Sequence, residues 1–384
     1  MNDNGLSYID LFAGAGGLSE GFIQSGYRPI AHVEMNEYAA KTLETRIAYY
    51  YLKENGNLKS YYEYERNEIS REQLLELIPR SELKTVINKE MSKSTIEEIF
   101  QSINKIIDEK KIGKVDVIVG GPPCQAYSLV GRAQSSHMIV PMEEDTRNEL
   151  YKMYVQFLNK YKPKMFVFEN VLGILTAKGG EPFRDLIRLV RELDYNIEFR
   201  EQIASQHGVL QKRHRVIIVG WQNKRDTQED TSYHYPYLLE EQIPYKIMRD
   251  LFCDLPIIKA GEGTLCGIVH YTKPLNDMEN LKKSGIRGVL SFTTQHIARP
   301  NNPTDREIYK QAVEQWNEGK RLRYDKLDPS LQKHKNTQTF LNRFCVVDPN
   351  GVCHTVVAHI AMDGHYYIYP TLSPTIENVR SITV

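Results

Sequence analysis

Five short apolar runs, each emptying into a turn of glycine, proline or charged residues, constrain this chain more than any other feature. They occupy residues 8–12, 29–33, 115–119, 165–168 and 216–219, and stretches of helical character separate them. Strand-length runs alternating with helices build a parallel sheet whose strands are joined by crossover helices. The fold expected is therefore α/β with a mostly parallel sheet. In such sheets, reactive and ligand-binding groups collect beyond the carboxyl ends of the strands, so the turns after these runs are where chemistry is sought.

The alternation is interrupted once and then stops. Residues 40–110 form a long, charged, mostly helical stretch that includes the tyrosine-rich YYYLKENGNLKSYYEYE, read as a peripheral insertion at about 45–110. Beyond Trp221, turn-formers, aromatics and basic residues mix without a period. The expected division is a domain at 1–221 and a smaller one at 222–384. No apolar run approaches the ~18 residues a membrane helix needs, and the N-terminus lacks the basic start and apolar middle of a secretory signal, so a cytoplasmic protein is expected. Five scattered cysteines in 384 residues do not make a disulfide framework. Lys+Arg and Asp+Glu balance at 49 each, yet residues 281–343 hold 13 of the former against 6 of the latter, a net +7 fit to face phosphate. A solvated surface is the plain alternative.

Four motifs carry candidate chemistry. In IDLFAGAGGLSEGF (9–22) a strand runs into Gly14, Gly16 and Gly17, and a helix follows, stopped by Gly26. Glycines there permit close backbone approach, and the helix start offers free amides to a polar ligand. A second strand ends in Glu34, 20 residues after Gly14, where a carboxylate suits ribose hydroxyls. The loop is GxGG and not GxGxxG, so a single adenosine-bearing molecule fits it better than a dinucleotide. In VDVIVGGPPCQAYS (115–128) a buried strand delivers a proline-stiffened turn and then Cys124. A lone cysteine is usually a small core residue, the reading kept for Cys253, Cys266 and Cys345. Cys124 in a Pro-Pro-Cys-Gln turn is instead a candidate nucleophile. In KPKMFVFENVLGI (162–174), Glu169 follows four apolar residues at the sheet edge and is a candidate acid, helix capping being its structural alternative. In HGVLQKRHRVIIVG (207–220), Gln211, Arg213 and Arg215 alternate along an entering strand, and two arginines aimed at one site suit phosphate or a carbonyl oxygen.

In this order and spacing the motifs resemble the C5-cytosine DNA methyltransferase family, over about residues 7–220. FAGAGG is similar to its cofactor loop, PPCQ to its nucleophile loop, ENV to its glutamate motif and QKRHR to its arginine motif; DTRNELYKMYVQFLNKYKPK (145–164) resembles the segment ahead of ENV. The resemblance implies a Rossmann-like S-adenosylmethionine-dependent methyltransferase domain with a smaller target-recognition domain. It implies S-adenosyl-L-methionine as cofactor, lined by Phe12, Gly14, Ala15, Gly16, Gly17, Leu18, Glu34, Met35, Pro123 and Leu150, with Glu90 a carry-over from a position that is usually Asp. It implies Cys124 as nucleophile toward carbon 6 of cytosine, Glu169 at ring N3, Arg213 at the carbonyl oxygen and Arg215 orienting its neighbours. The base must leave the stack to be reached, and Gln125, Ser128 and Arg132 would close over double-stranded DNA, with Gln211 nearby.

Residues 222 to about 343 resemble the family's recognition domain only in position, and their Lys282, Lys283, Arg287, Arg299, Lys320, Arg321 and Arg323 are phosphate or base-edge candidates as a group. Cys353, His354, His359 and His365 fit no common zinc spacing, so no metal is expected. A modification enzyme of a restriction-modification system, or of bacterial or phage self-protection, is the function implied; an RNA cytosine methyltransferase and an inactive DNA-binding subunit are the alternatives. The family continues into a GNxVPP segment, whereas the only Gly-Asn pair here, Gly56-Asn57, precedes Leu58. The expectation drawn is a second polypeptide supplying that segment, a shortened chain being the other possibility.

Overall fold

The computed structural model describes residues 5–123, 150–223, 235–236, 245–264, 267–334, 337–338, 341–355 and 366–382. Two compact units emerge: residues 1–202 with 214–237, and residues 203–213 with 238–384. The partition is not a single cut at residue 221, because the segment carrying Gln211 and Arg213 groups with the second unit.

The first unit is built on β1 (Ser7–Leu11), α1 (Gly17–Gln24), β2 (Arg28–Glu34), the helices α2 (Glu37–Glu54), α3 (Leu58–Glu65), α4 (Arg71–Glu76) and α5 (Arg80–Leu83), then β3 (Val86–Asn88), α6 (Ile96–Glu109), β4 (Val117–Gly120), α7 (Leu150–Tyr161), β5 (Met165–Asn170), α8 (Glu181–Glu192) and β6 (Tyr195–Ile203). A two-residue β7 (Gln211–Lys212) of the other unit precedes β8 (His214–Gln222). The sheet order is β3-β2-β1-β4-β5-β8-β6. Neighbours from β3 through β5 are parallel, and β8 runs antiparallel to β5, Glu169 opposite Ile217 and Asn170 opposite Val216. The expected mostly parallel α/β sheet is therefore what forms.

Packing explains the pattern. Every residue of β1 and β4 is buried, as in a strand covered on both faces, and this is why these segments read as continuous apolar runs. Helix α6 buries Ile96, Ile99, Phe100, Ile103 and Ile106, a stripe at helical spacing, into the same core as Ile9, Leu11 and Ile118. The hydroxyl of fully buried Tyr154 on α7 donates toward the carbonyls of Ile118 and Val167, at 3.0 and 3.1 Å, so its burial leaves no polar group stranded. The stretch expected as a peripheral insertion contains β3 and α6, both integral to the sheet domain. Only α2 to α5 form a satellite, around Ala48, Leu52, Leu74 and Ile78. Three residues of β3 are too few to show a strand period, which is why the sequence hid it.

The order reverses between β1 and β4, since β2 and β3 lie to one side and β5 to the other. That reversal opens a crevice beyond the carboxyl ends of β1 and β4, where α/β sheets bind their ligands. Both glycine-bearing turns, after β1 and after β4, lie at this position.

The second unit has little regular structure. Its elements are β9 (Ile268–His270), α9 (Glu279–Lys283), β10 (Phe292–Thr294), α10 (Pro303–Asn317), β11 (Phe344–Val346), β12 (Cys353–His354), β13 (Tyr366–Ile368) and β14 (Ser381–Ile382). Helix α10 is capped by the Asn302 side chain, which accepts from Asp305 N, and buries Ile308, Tyr309, Ala312 and Val313 against Tyr324, Phe344 and Ile368. Strand β7 pairs with β12. The expectation that Arg287 faces DNA is corrected here. Its side chain is 6% exposed, ion-paired at 2.8 Å to an Asp254 that is 2% exposed, bonded to the Lys273 carbonyl and stacked 3.9 Å from the Tyr271 ring. An isolated buried charge is costly, and this aspartate takes up the arginine that surface reasoning assigned to solvent. Among the described residues no helix is long and apolar enough to cross a membrane.

Candidate active site

The turn after β1 is tight and locally strained. Ala13 N donates to Val33 O at 3.1 Å and Gly16 N to Ala13 O at 2.9 Å, while Phe12, a bulky residue, takes a left-handed φ of 57°. Gly16 sits at φ 88°, where a Cβ would also lie 2.9 Å from the Leu43 side chain. Gly14, Ala15, Gly17 and Leu18 complete the loop and start α1. The Glu34 carboxylate closes it: one oxygen accepts from Gly14 N and the other from Asn36 N, each at 2.8 Å. Asn36 in turn caps α2, accepting from Tyr38 N and Ala39 N. Next to Glu34, Met35 stands 61% exposed, a large apolar side chain in reach of a ligand.

Beneath the loop lies Asp10, 1% exposed, with Oδ2 lacking a hydrogen-bond partner among the described residues. Burial, and then the charge of Glu34, hold its carboxyl well above the usual range. The strained glycine turn, the Glu34 carboxylate bonded to Gly14 N and the exposed Met35 next to it, all at the sheet switch point, fit an adenosine-bearing ligand. Asp10 stands within the first motif, but nothing local in the sequence shows that it is sealed from water.

At the carboxyl end of β5, Glu169 is paired with Arg215 at 2.6 Å, the two side chains 26% and 18% exposed. Arg215 also donates to the His214 carbonyl at 2.7 Å. Gly121 makes this geometry possible, for a Cβ there would fall 2.7 Å from Glu169 Oε2 and 3.0 Å from its carbonyl oxygen. The neighbouring Asn170 is 1% exposed; its amide donates to Pro122 O at 3.3 Å and its oxygen accepts from Val171 N at 2.9 Å. The ENV turn therefore holds the Pro122–Pro123 turn in place. Asn170 lies within the Glu-Asn-Val motif, where the sequence gives no local sign of its bond to Pro122.

Cys124, Gln125, Ser128 and Arg132 lie outside the described residues, as do Cys266, His359 and His365. Pro123, the last described residue before Cys124, is half-buried, and Leu150 packs partly buried at the start of α7. Gln211 and Arg213 do not share a strand with Arg215 as expected: β7 ends at Lys212, β8 begins at His214, and the two strands belong to different units. Glu90 is exposed just beyond β3. Burial raises the thiol pKa of Cys253 and Cys345 and pushes that of Cys353 up to about 11, the reverse of what a nucleophile needs.

In the second unit Lys282, Lys283, Lys320, Arg321 and Arg323 are exposed and Arg299 is half-buried. Lys283 pairs with Glu279 at 2.8 Å, Lys320 with Glu318 at 2.9 Å and Arg323 with Asp325 at 2.9 Å. A cavity of about 960 Å³, lined in part by Ser7, Gly16, Ser19, Arg28, His32 and Asp116, runs from the amino ends of β1, β2 and β4 along α1 to Gly16 of the glycine loop.

Comparison with known proteins agrees with the geometry. A model of the C-5 cytosine-specific DNA methylase family matches residues 6–71 and 80–374. The type II methyltransferase M.Bpa9945I of Bacillus paralicheniformis is 36% identical, over 98% of this chain and 88% of its own length. The type II methyltransferases M1.HphI of Haemophilus parahaemolyticus and M.DdeI of Desulfomicrobium norvegicum are 27% and 29% identical; this chain covers 65% and 50% of their lengths. A crystal structure of a prophage-encoded E. coli protein, described as a DNA modification methyltransferase, shares the fold, with a TM-score of 0.52 at 19% identity over 97% of this chain and 86% of that one. These matches give no support to a second polypeptide.

Proposed function

Because the chain belongs to the C-5 cytosine-specific DNA methylase family, and is a DNA (cytosine-5-)-methyltransferase using S-adenosyl-L-methionine, we propose that it modifies a cytosine swung out of a specific duplex DNA sequence, serving a restriction-modification system. The cofactor supplies the methyl group when bound. Glu34 would hold its ribose hydroxyls, with Phe12, Met35, Pro123 and Leu150 against its apolar surfaces and the loop of Gly14, Ala15, Gly16, Gly17 and Leu18 approaching its backbone-facing side.

Carbon 5 of cytosine is a poor nucleophile. Addition of the Cys124 thiolate to carbon 6 forms a C–S bond and pushes the ring electron pair toward carbon 5. A proton shared between Glu169 and ring N3 offsets the charge that develops there, and Arg213 binds the carbonyl oxygen. Loss of the carbon 5 proton after methyl transfer then expels the thiolate. Arg215, which holds Glu169, keeps that carboxylate directed. Gln125, Ser128 and Arg132 would cover the DNA, while Gln211, Lys282, Lys283, Lys320, Arg321 and Arg323 would meet its backbone or base edges.

The observation that carries this reading is the Glu169–Arg215 pair at 2.6 Å, packed against Gly121 in the turn that leads to Cys124. Bisulfite sequencing of DNA from cells expressing the chain tests it and reports the target as well. A single protected motif is expected, and unmodified DNA with methylated transfer RNA would replace this reading by an RNA-directed one. Duplex DNA carrying 5-fluorocytosine should trap Cys124 covalently, because fluorine cannot leave as a cation from carbon 5.

A further inference from the structure

We propose that Asn88 is a positioning residue for the adenosine end of the cofactor, an assignment that rests on reading Glu34 as the ribose-binding carboxylate. Strand β3 is three residues long, and its last residue stands level with Glu34 in the parallel register. The Asn88 side-chain amide donates to two successive backbone carbonyls, Glu34 O at 2.9 Å and Met35 O at 3.1 Å. An amide nitrogen carries two hydrogens, and both are used. Lys89 N adds a second donor to Glu34 O, at 3.1 Å.

The turn at Glu34 and Met35 is thereby held from two sides. Asn88 fixes its carbonyls, while the Glu34 carboxylate reaches back to Gly14 N and forward to Asn36 N. Glu34 directs a carboxylate to the turn after β1 and the adjoining Met35 carries an exposed apolar side chain, so the setting of both depends on the peptide that joins them. Released from Asn88, those carbonyls would turn to water and the turn would sample other orientations. Cofactor binding would then have to order it. The same position could be filled by an apolar residue if β3 served only the sheet; an asparagine that bonds two carbonyls of the neighbouring strand's exit marks a fixed turn.

The test uses the full chain with Glu34→Gln, Asn88→Asp, Asn88→Ala and Asn88→Gln. Aspartate keeps the shape but donates nothing, and its charge would face two carbonyl oxygens. Calorimetry with S-adenosylhomocysteine should show Asn88→Asp binding about tenfold more weakly, with KM for S-adenosylmethionine raised in step and kcat at saturating cofactor retained within about twofold. Asn88→Gln, which still carries donors, should bind more tightly than Asn88→Ala. Should Asn88→Asp fail to fold, the comparison of Gln with Ala carries the test, and equal affinities in those two would overturn the proposal. Normal affinity in Asn88→Asp while Glu34→Gln is weakened also overturns it and leaves the ribose assignment standing. Normal affinity in Glu34→Gln instead removes that assignment, and with it the ground for this one.

Discussion

Two ion pairs, one in each unit, use the same chemistry for opposite ends. Glu169–Arg215 sits at the carboxyl edge of the parallel sheet, with its side chains 26% and 18% exposed, and Asp254–Arg287 lies in the second unit at 2% and 6%. The first is open enough to meet a substrate and is held in place by a glycine that leaves room for it. The second has no route to solvent, and an aromatic ring covers its guanidinium. A charged pair at a strand end is therefore a candidate for chemistry only where water, and so a ligand, can reach it. Sealed from water, the same pair is a structural element whose removal in halves exposes the fold to an uncompensated charge.

The largest effect expected from this contrast is on turnover. Glu169→Gln should lower methyl transfer by about 10²–10⁴-fold while the melting temperature and cofactor affinity stay near those of the parent. Retained turnover would show that the open pair is only structural.

Next comes stability in the second unit. Arg287→Ala strands Asp254 and should cost about 3–5 kcal/mol in urea unfolding, whereas Asp254→Leu with Arg287→Met should come out near neutral. The matching apolar exchange, Glu169→Leu with Arg215→Met, should leave the fold but abolish methyl transfer. If both double variants behave alike in stability and in activity, the contrast between the pairs is lost.

A third prediction concerns a buried group that remains neutral. His32 is 2% exposed, its Nε2 is 2.8 Å from Ser19 Oγ, and burial lowers its pKa from 6.5 to about 4. Its folded-state value is depressed, so the unfolded chain takes up a proton first. The contribution to stability is whole above about pH 6.5 and is lost as pH falls to about 4, up to roughly 3 kcal/mol. His32→Gln should flatten the stability of the first unit across that window, and an unchanged slope would remove the histidine as its source.

The smallest effect expected is at the surface. Lys282→Ala with Lys283→Ala should weaken DNA binding evenly across sequences and reduce the salt dependence by about two counterions, with stability unmoved. A change confined to the target sequence would make these lysines base readers instead.

Much of the first unit was legible because its signals are local. Runs that read as strands became β1, β2, β4, β5 and β8, and the GxGG turn, Glu34 and Glu169 all stand at strand ends. What escaped notice depended on residues distant in sequence. Asn88 lies 54 positions from the carbonyl of Glu34 that it binds, and β3 is too short to announce itself. Strand β6, with mixed polarity and much of its length exposed, shows no run to read. In the second unit, where strands are two or three residues long, no period exists from which to argue.

The sequence by itself determined the α/β class, the turns that bear the chemistry and the family to which they point. Apolar runs and glycine, proline and cysteine at fixed spacing act on the backbone within a few residues. Only the tertiary structure decided which charges meet solvent and which meet each other. It turned β8 antiparallel to bring Arg215 to Glu169, grouped the segment with Gln211 and Arg213 into the other unit, and buried Arg287 against Asp254, 33 positions away. Burial and pairing are set by whatever the chain brings alongside a side chain, and for a charged residue that neighbour decides whether it stays in water, folds the protein or works in the site.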